Sequence, residues 1–236
     1  MNDKELQFDR EKHILYSREA KQVIRDRLAA RYGPEQAEQL WEQTQKNYLR
    51  FVDSIPYMGG QKNPQSGSVY DCAALFAYYE AVPDKPTLAE LEQMNLDLFL
   101  PPFERLSKIR LADLNRPWVM QAAGCIWKVL ARRSQNKKEE WPGNYDMEVL
   151  PAPEGKRYVF YRCPIAELAR ELGYTYLMPA LCNPDYPMLA AVHGTLIRAT
   201  TCAFGDCCDY WIVGSDSPAA AQHPLKKNEA GFLYNT

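Results

Sequence analysis

A single change of hydrophobic period limits what this chain can fold into. Before Gly143 the apolar residues recur at the three-to-four spacing of helices, and after it they alternate in short β-rich runs. In "SREAKQVIRDRLAARYG", Val23, Ile24, Leu28 and Tyr32 share one helical face and Gly33 is placed to end the helix. Pro34 suits the first turn of the next helix, which the pattern carries to about Val52 with Ala37, Leu40, Trp41, Thr44, Tyr48 and Phe51 on one face. The tight Gly-Pro link predicts an antiparallel pair.

"IPYMGGQKNPQSGS" reads as a surface loop, and a helix is predicted from about Val69 to Ala81 with Tyr70 and Asp71 on its exposed side. "TLAELEQMNLDLF" opens with a capping box, in which the Thr87 hydroxyl and Glu90 carboxylate satisfy free amides at the helix start. Another helix starts near Pro117 and fades into the charged stretch "RRSQNKKEEWPGN", a solvated linker in which acids balance bases. Beyond it, "YDMEVLP" and "KRYVFYRC" read as strands joined by a "PEGK" turn, and Pro164 to Gly173 as a short helix. "TLIRATTCAF" and "CCDYWIV" complete a hairpin turning near Gly205 and Asp206. The expected class is α+β: a helical N-terminal part, residues 1–142, then a mostly antiparallel four-stranded sheet with short helices, residues 143–236.

The totals exclude some functions. Of 236 residues, 46% are hydrophobic, enough for a sizeable core, and a net charge of −2 argues against a nucleic-acid partner. No apolar run approaches a membrane span, and the charged start "MNDKELQFDREKH" lacks the core of a signal peptide, so a cytoplasmic location is expected. A homo-oligomer through the apolar helical faces is compatible with the pattern, as is an internal core. Seven cysteines without an export signal point to reduced thiols. Cys72 and Cys125 sit in helical patterns and read as buried small hydrophobes.

The chemistry concentrates in the last third. Cys163 precedes a proline-started helix, whose free amides favour a thiolate. Cys182 and Asp185 lie in the prolyl turn "CNPDY", Cys208 and Asp209 begin the last strand, and Arg198 sits among apolar neighbours where a cation needs an anionic partner. His193 precedes Gly194, while His13 and His223 look peripheral. Structural readings stand beside each: a packed thiol at Cys163, an Asx-turn at Asp185, a hairpin cap at Asp209, a turn at His193, and an Arg198 ion pair with Glu167 or Asp185. Cys163, Cys182 and Cys208 with Asp185 or His193 would make a mixed zinc ligand set, but their wide separations lack the close pairing common in such sites.

"YRCPIAELARELGY", "LCNPDY" and "LIRATTCAFGDCCDYWIV" resemble the C-terminal signature of the L-2-amino-thiazoline-4-carboxylic acid hydrolase family. The matching positions are Cys163, Pro164, Leu172, Gly173, Cys182, Asn183, Asp185, Tyr186, Arg198, Thr200, Gly205, Cys208 and Asp209; Tyr210 stands where the pattern has Phe. The resemblance runs from Tyr158 to Val213. It implies hydrolysis of a small cyclic amidine to an N-carbamoyl amino acid without a cofactor. Within that reading Cys182 is the nucleophile, Asp185 the base or amidinium-orienting group, and Cys163 a further catalytic thiol. Arg198 would hold a substrate carboxylate, and Asn183, Tyr186, His193, Cys208 and Asp209 would line the substrate's surroundings. The alternatives are a metal-binding protein and a non-catalytic small-molecule sensor, the latter suggested by a more distant similarity to the 4-vinyl-reductase-type domain.

Overall fold

The computed structural model describes residues 16–109 and 112–235, so His13 and the charged start lie outside the described residues. The chain divides into two compact units, one of residues 1–85 and 137–144, the other of residues 86–136 and 145–236.

In the first unit, α1 (Arg18–Tyr32) and α2 (Pro34–Ser54) flank Gly33, as the Gly-Pro signal predicts, and Arg25 bonds Glu38 across the pair at 2.7 Å. The third helix, α3 (Ser66–Ala81), departs from its predicted half-exposed character. Tyr70 is fully buried and Asp71 is 6% exposed, because α3 packs against both α1 and α2. Asp71 accepts the Ser17 amide at 2.5 Å and so ties the start of α1 to the middle of the unit. The loop before α3 is only partly surface: Pro56, Lys62 and Pro64 are exposed. Met58, Asn63 and Ser66 are buried, and Asn63 Nδ2 donates to Met58 O and to Asn144 Oδ1. Gly59 takes φ 95° beneath the Trp141 ring, where a Cβ would stand 2.5 Å from the indole. The "solvated" linker therefore includes a buried tryptophan, 5% exposed.

The second unit begins with α4 (Leu88–Ser107), whose Thr87–Glu90 capping box forms as read, and α5 (Pro117–Asn136). Cys125 is exposed on α5, where a buried thiol was expected; the helix turns Val119, Met120, Gly124 and Ala131 inward instead. Strands β1 (Asp146–Leu150) and β2 (Lys156–Arg162) form the predicted hairpin. Three short helices follow, α6 (Pro164–Glu171), α7 (Met178–Cys182) and α8 (Asp185–Ala191), then β3 (Gly194–Ile197) and β4 (Cys208–Gly214). The sheet is antiparallel in the order β1-β2-β4-β3. After α9 (Pro218–Gln222), a small pair closes the chain, β5 (Lys226–Lys227) with β6 (Leu233–Tyr234).

Successive β4 side chains alternate between the two sheet faces. Ile212 packs with Met147, Tyr158, Leu196, Tyr186 and Met120, with Tyr210 at the edge of that cluster, while Val213 packs with Ile197 and Ala219 on the other face. Two sequence expectations change here. The predicted "TLIRATTCAF" strand stops at Ile197, and residues 198–207 form a long loop rather than a tight Gly-Asp hairpin. The reason is local bonding: Arg198 N donates to Asn235 Oδ1, Ala199 N to Asp209 Oδ1 and Cys202 N to Cys208 Sγ, so these groups leave the β-ladder. "CNPDY" is also not an open turn. Cys182 ends α7 and Asp185 begins α8, so both lie on a helix–helix joint.

Candidate active site

Arg198 is the centre of the site. It follows β3 directly, and its residue is only 1% exposed. A buried guanidinium requires partners for its donors. Nη1 donates to Asp185 Oδ2 at 2.9 Å and to the Tyr210 hydroxyl at 3.1 Å, and Nη2 donates to the Cys182 carbonyl at 3.1 Å. The guanidinium carbon also stacks 4.9 Å from the Tyr186 ring and 5.3 Å from that of Tyr210. Nε is buried and has no hydrogen-bond partner among the described residues. Of the two sequence readings for its anionic partner, Asp185 is the one realised; Glu167 bonds Arg162 at 2.7 Å.

Asp185 binds the same tyrosine, since the Tyr210 hydroxyl donates to Oδ2. Among the described residues its Oδ1 takes no hydrogen bond, and 28% of the side chain stays accessible. Burial raises the carboxyl above its ordinary value, against the pull of Arg198 and the Tyr210 donor. For Arg198 burial pulls downward, but its neighbours, the Asp185 carboxylate among them, outweigh it and the guanidinium stays charged.

Three thiols surround this pair. Cys182, Cys163 and Cys208 lie close enough to interact electrostatically with one another, and the first two also with Asp185. Its place at a helix start does not make Cys163 a thiolate. Burial first and Cys208 second push its thiol up to about 12, although the Ile165 and Ala166 amides pull the other way. α6 is short, and its partial charge does not offset the desolvation of a thiolate. Burial also holds Cys182 well above the usual thiol value despite Arg198. Cys208 is raised chiefly by its contact with Cys202. All three are neutral thiols at neutral pH.

The other predicted residues take different places. Asn183 is 1% exposed and fully engaged: Nδ2 donates to Gly231 O and Glu92 Oε2, and Oδ1 accepts from Leu233 N, which pins the terminal hairpin. The Tyr186 hydroxyl donates to Leu233 O at 3.1 Å while its ring lies under Arg198. Asp209 faces away from Cys208 and Tyr210, holding the Ala199 amide and Arg157 at 3.2 Å each. His193 is exposed in the αL turn before β3, φ 57°, about 16 Å along the strand from Arg198. Among the described residues, no three or more His, Cys, Asp or Glu are grouped to hold a metal ion.

Every member of the cluster lies between Cys163 and Tyr210, within a stretch that also matches a known family model. The match is to the L-2-amino-thiazoline-4-carboxylic acid hydrolase family, over residues 103–212. The resemblance first carried by the Cys and Asp motifs thus holds, and over a longer stretch that takes in α5 and both hairpin strands β1 and β2. No curated protein and no solved structure matches the chain significantly. The matched stretch includes Cys163, Cys182, Asp185, Arg198, Cys208 and Tyr210; of the first unit it takes in only residues 137–144, and it stops short of the terminal hairpin.

Three residues that sequence reasoning did not single out shape this site. Tyr210 was visible as a hydroxyl where the hydrolase pattern has Phe. Asn95, 2% exposed, donates to Ala180 O and Leu181 O just ahead of Cys182. Asn235 accepts the Arg198 amide at 2.8 Å and donates its own amide to Arg198 O at 3.2 Å. For the two asparagines the sequence held no signal, because their partners are backbone groups remote in the chain. Among the described residues, no helix is long and apolar enough to cross a membrane.

Proposed function

We propose that this protein is a hydrolase that opens the ring of a small cyclic amidine, with the Asp185–Cys182 region as its reaction centre. The observation that carries the reading is Asp185 Oδ1, a carboxylate oxygen without a hydrogen-bond partner among the described residues, on a side chain whose other oxygen is held by Arg198 and Tyr210. A carboxylate so held offers an amidinium an opposite charge and one acceptor oxygen, Oδ1, for a charge-assisted hydrogen bond. Family similarity over residues 103–212 supports the same chemistry. Arg198 has both Nη groups committed inside the protein, so in this reading it orients Asp185 rather than gripping a substrate carboxylate.

The overall reaction consumes one water. In the covalent route Asp185 takes the Cys182 proton, the sulfur bonds to C2 of a 2-amino-thiazoline and the ring C–S bond breaks, its sulfur leaving protonated. Water then adds at the same carbon and expels the Cys182 thiol, leaving an N-carbamoyl amino acid. The raised Cys182 thiol favours a second route, in which Asp185 activates water directly and Cys182 stays neutral.

The test supplies L-2-amino-thiazoline-4-carboxylate to the purified protein and follows the new thiol and the N-carbamoyl-L-cysteine mass. Turnover is expected, with a loss of about 100-fold or more in Asp185→Asn. A comparable loss in Cys182→Ala assigns the covalent route, and retained turnover assigns the direct one. A folded wild-type protein that consumes no cyclic amidine sinks the reading.

A further inference from the structure

We propose that Tyr210 is the positioning residue of this site: its hydroxyl holds Asp185 Oδ2 and Arg198 Nη1 together and leaves Oδ1 as the carboxylate oxygen presented to a ligand. The hydroxyl donates to Asp185 and accepts from Arg198, so it completes a closed three-membered contact rather than lengthening a chain. Such a bridge fixes the rotation of the carboxylate as well as its place. The ring behind the hydroxyl is itself immobilised. Tyr210 stands opposite Tyr158 in the β2–β4 ladder, meets the Phe160 ring edge-on at 5.3 Å and lies 5.3 Å from the Arg198 guanidinium carbon. Strand, aromatic partner and cation together leave the oxygen one position.

The surroundings make Asp185 sensitive to this single donor. The groups near it are Arg198 after β3, Tyr210 and Cys208 on β4, Cys163 ahead of α6, Cys182 on α7 and Tyr186 on its own helix. The three thiols and two phenols are neutral at neutral pH, since burial raises both tyrosines and burial or the Cys202 contact raises the thiols. Arg198 and the Tyr210 hydroxyl are therefore what favours an ionised Asp185.

The experiment follows the carboxylic-acid infrared band of Asp185, assigned by its loss in Asp185→Asn, as a function of pH in the whole protein. Tyr210→Phe removes the donor and keeps the ring. The band's titration midpoint is expected to rise by about one to two pH units. Replacing Tyr210 with 3-fluorotyrosine strengthens the donor and should move the midpoint down. This arm decides alone if the phenylalanine variant does not fold. The inference rests on the hydrolase reading only for a kinetic arm, in which the acid limb of kcat shifts with the band while KM for the thiazoline changes little. Wild-type protein with the band but without turnover would defeat the hydrolase reading and leave the positioning role standing. A midpoint that both replacements leave unchanged, or move in the same direction, would overturn the positioning role.

Discussion

Burial decides the chemistry of the individual thiols more than any neighbouring dipole. Cys163 starts a helix and Cys182 lies beside a guanidinium, yet both thiols are raised, because a thiolate removed from water loses more than those partners restore. Cys125, by contrast, is exposed on α5. Alkylation with iodoacetamide at neutral pH, read by mass spectrometry, should therefore modify Cys125 well before Cys163 or Cys182. Labelling of Cys182 first would mean that Asp185 already removes its proton in the resting protein, and would favour the covalent route. Residues 208–210 show how one residue of register separates roles. Cys208 and Tyr210 face the Arg198 cluster, whereas Asp209 between them faces away and holds the loop backbone at Ala199.

Among the elements, the terminal hairpin is the one whose role the helical and strand patterns do not announce. β5 and β6 are two residues each, too short to be stable alone. Their hold comes from side chains of the motif region: Asn183 to Gly231 and Leu233, and Tyr186 to Leu233. The adjoining Asn235 returns a clasp to the backbone of Arg198. Asn183→Ala removes the partners of the Leu233 amide and the Gly231 carbonyl in a buried setting, a cost of about 2–3 kcal/mol. Faster hydrogen exchange at Leu233, together with a lower melting temperature, is the expected result. Unchanged exchange would show that β5–β6 pairing and Asn235 suffice to hold the segment. The predicted elements with local signals formed where expected, including the Thr87–Glu90 capping box and the β1–β2 hairpin with Gly155 at φ 65°. Those signals act within a few residues, so the chain carries them whole.

At the scale of the molecule, the first unit carries its own titrating group. Asp71 is buried beneath the start of α1, and burial raises it from the ordinary carboxylate value to about 6, against the Ser17 donors that pull it down. A carboxyl raised in the folded state favours folding in its protonated form. Its stabilising contribution is full below its unfolded value near 4 and is lost as pH rises through about 6. Asp71→Asn keeps an acceptor for the Ser17 amide and removes the titration. Urea unfolding at pH 4 and pH 7 should show the variant losing less stability than wild type across that interval, by on the order of 2–3 kcal/mol. Equal losses in the two proteins would place the group's sensitivity elsewhere.

The division between local and remote information runs through particular residues. Helices α1, α2, α4 and α5, the strands β1, β2 and β4, and the α+β class follow from spacing, caps and prolines, because the interactions that set them span one or two turns of chain. The motif likewise led to Cys163, Cys182, Asp185, Arg198 and Cys208 as one group. Local pattern misjudged Tyr70 and Asp71, which are buried where α3 packs against α1 and α2, and Met58, Asn63 and Ser66, which are buried although the loop's composition is that of a surface segment. The contacts that make the site were decided by tertiary structure alone. Asp185 meets Arg198 across 13 residues and Tyr210 across 25, and Asn235 reaches Arg198 across 37. Those meetings depend on the register of β3 against β4 and on where α7 and α8 dock. Both are set by the packing of the whole core, which no short stretch of sequence specifies.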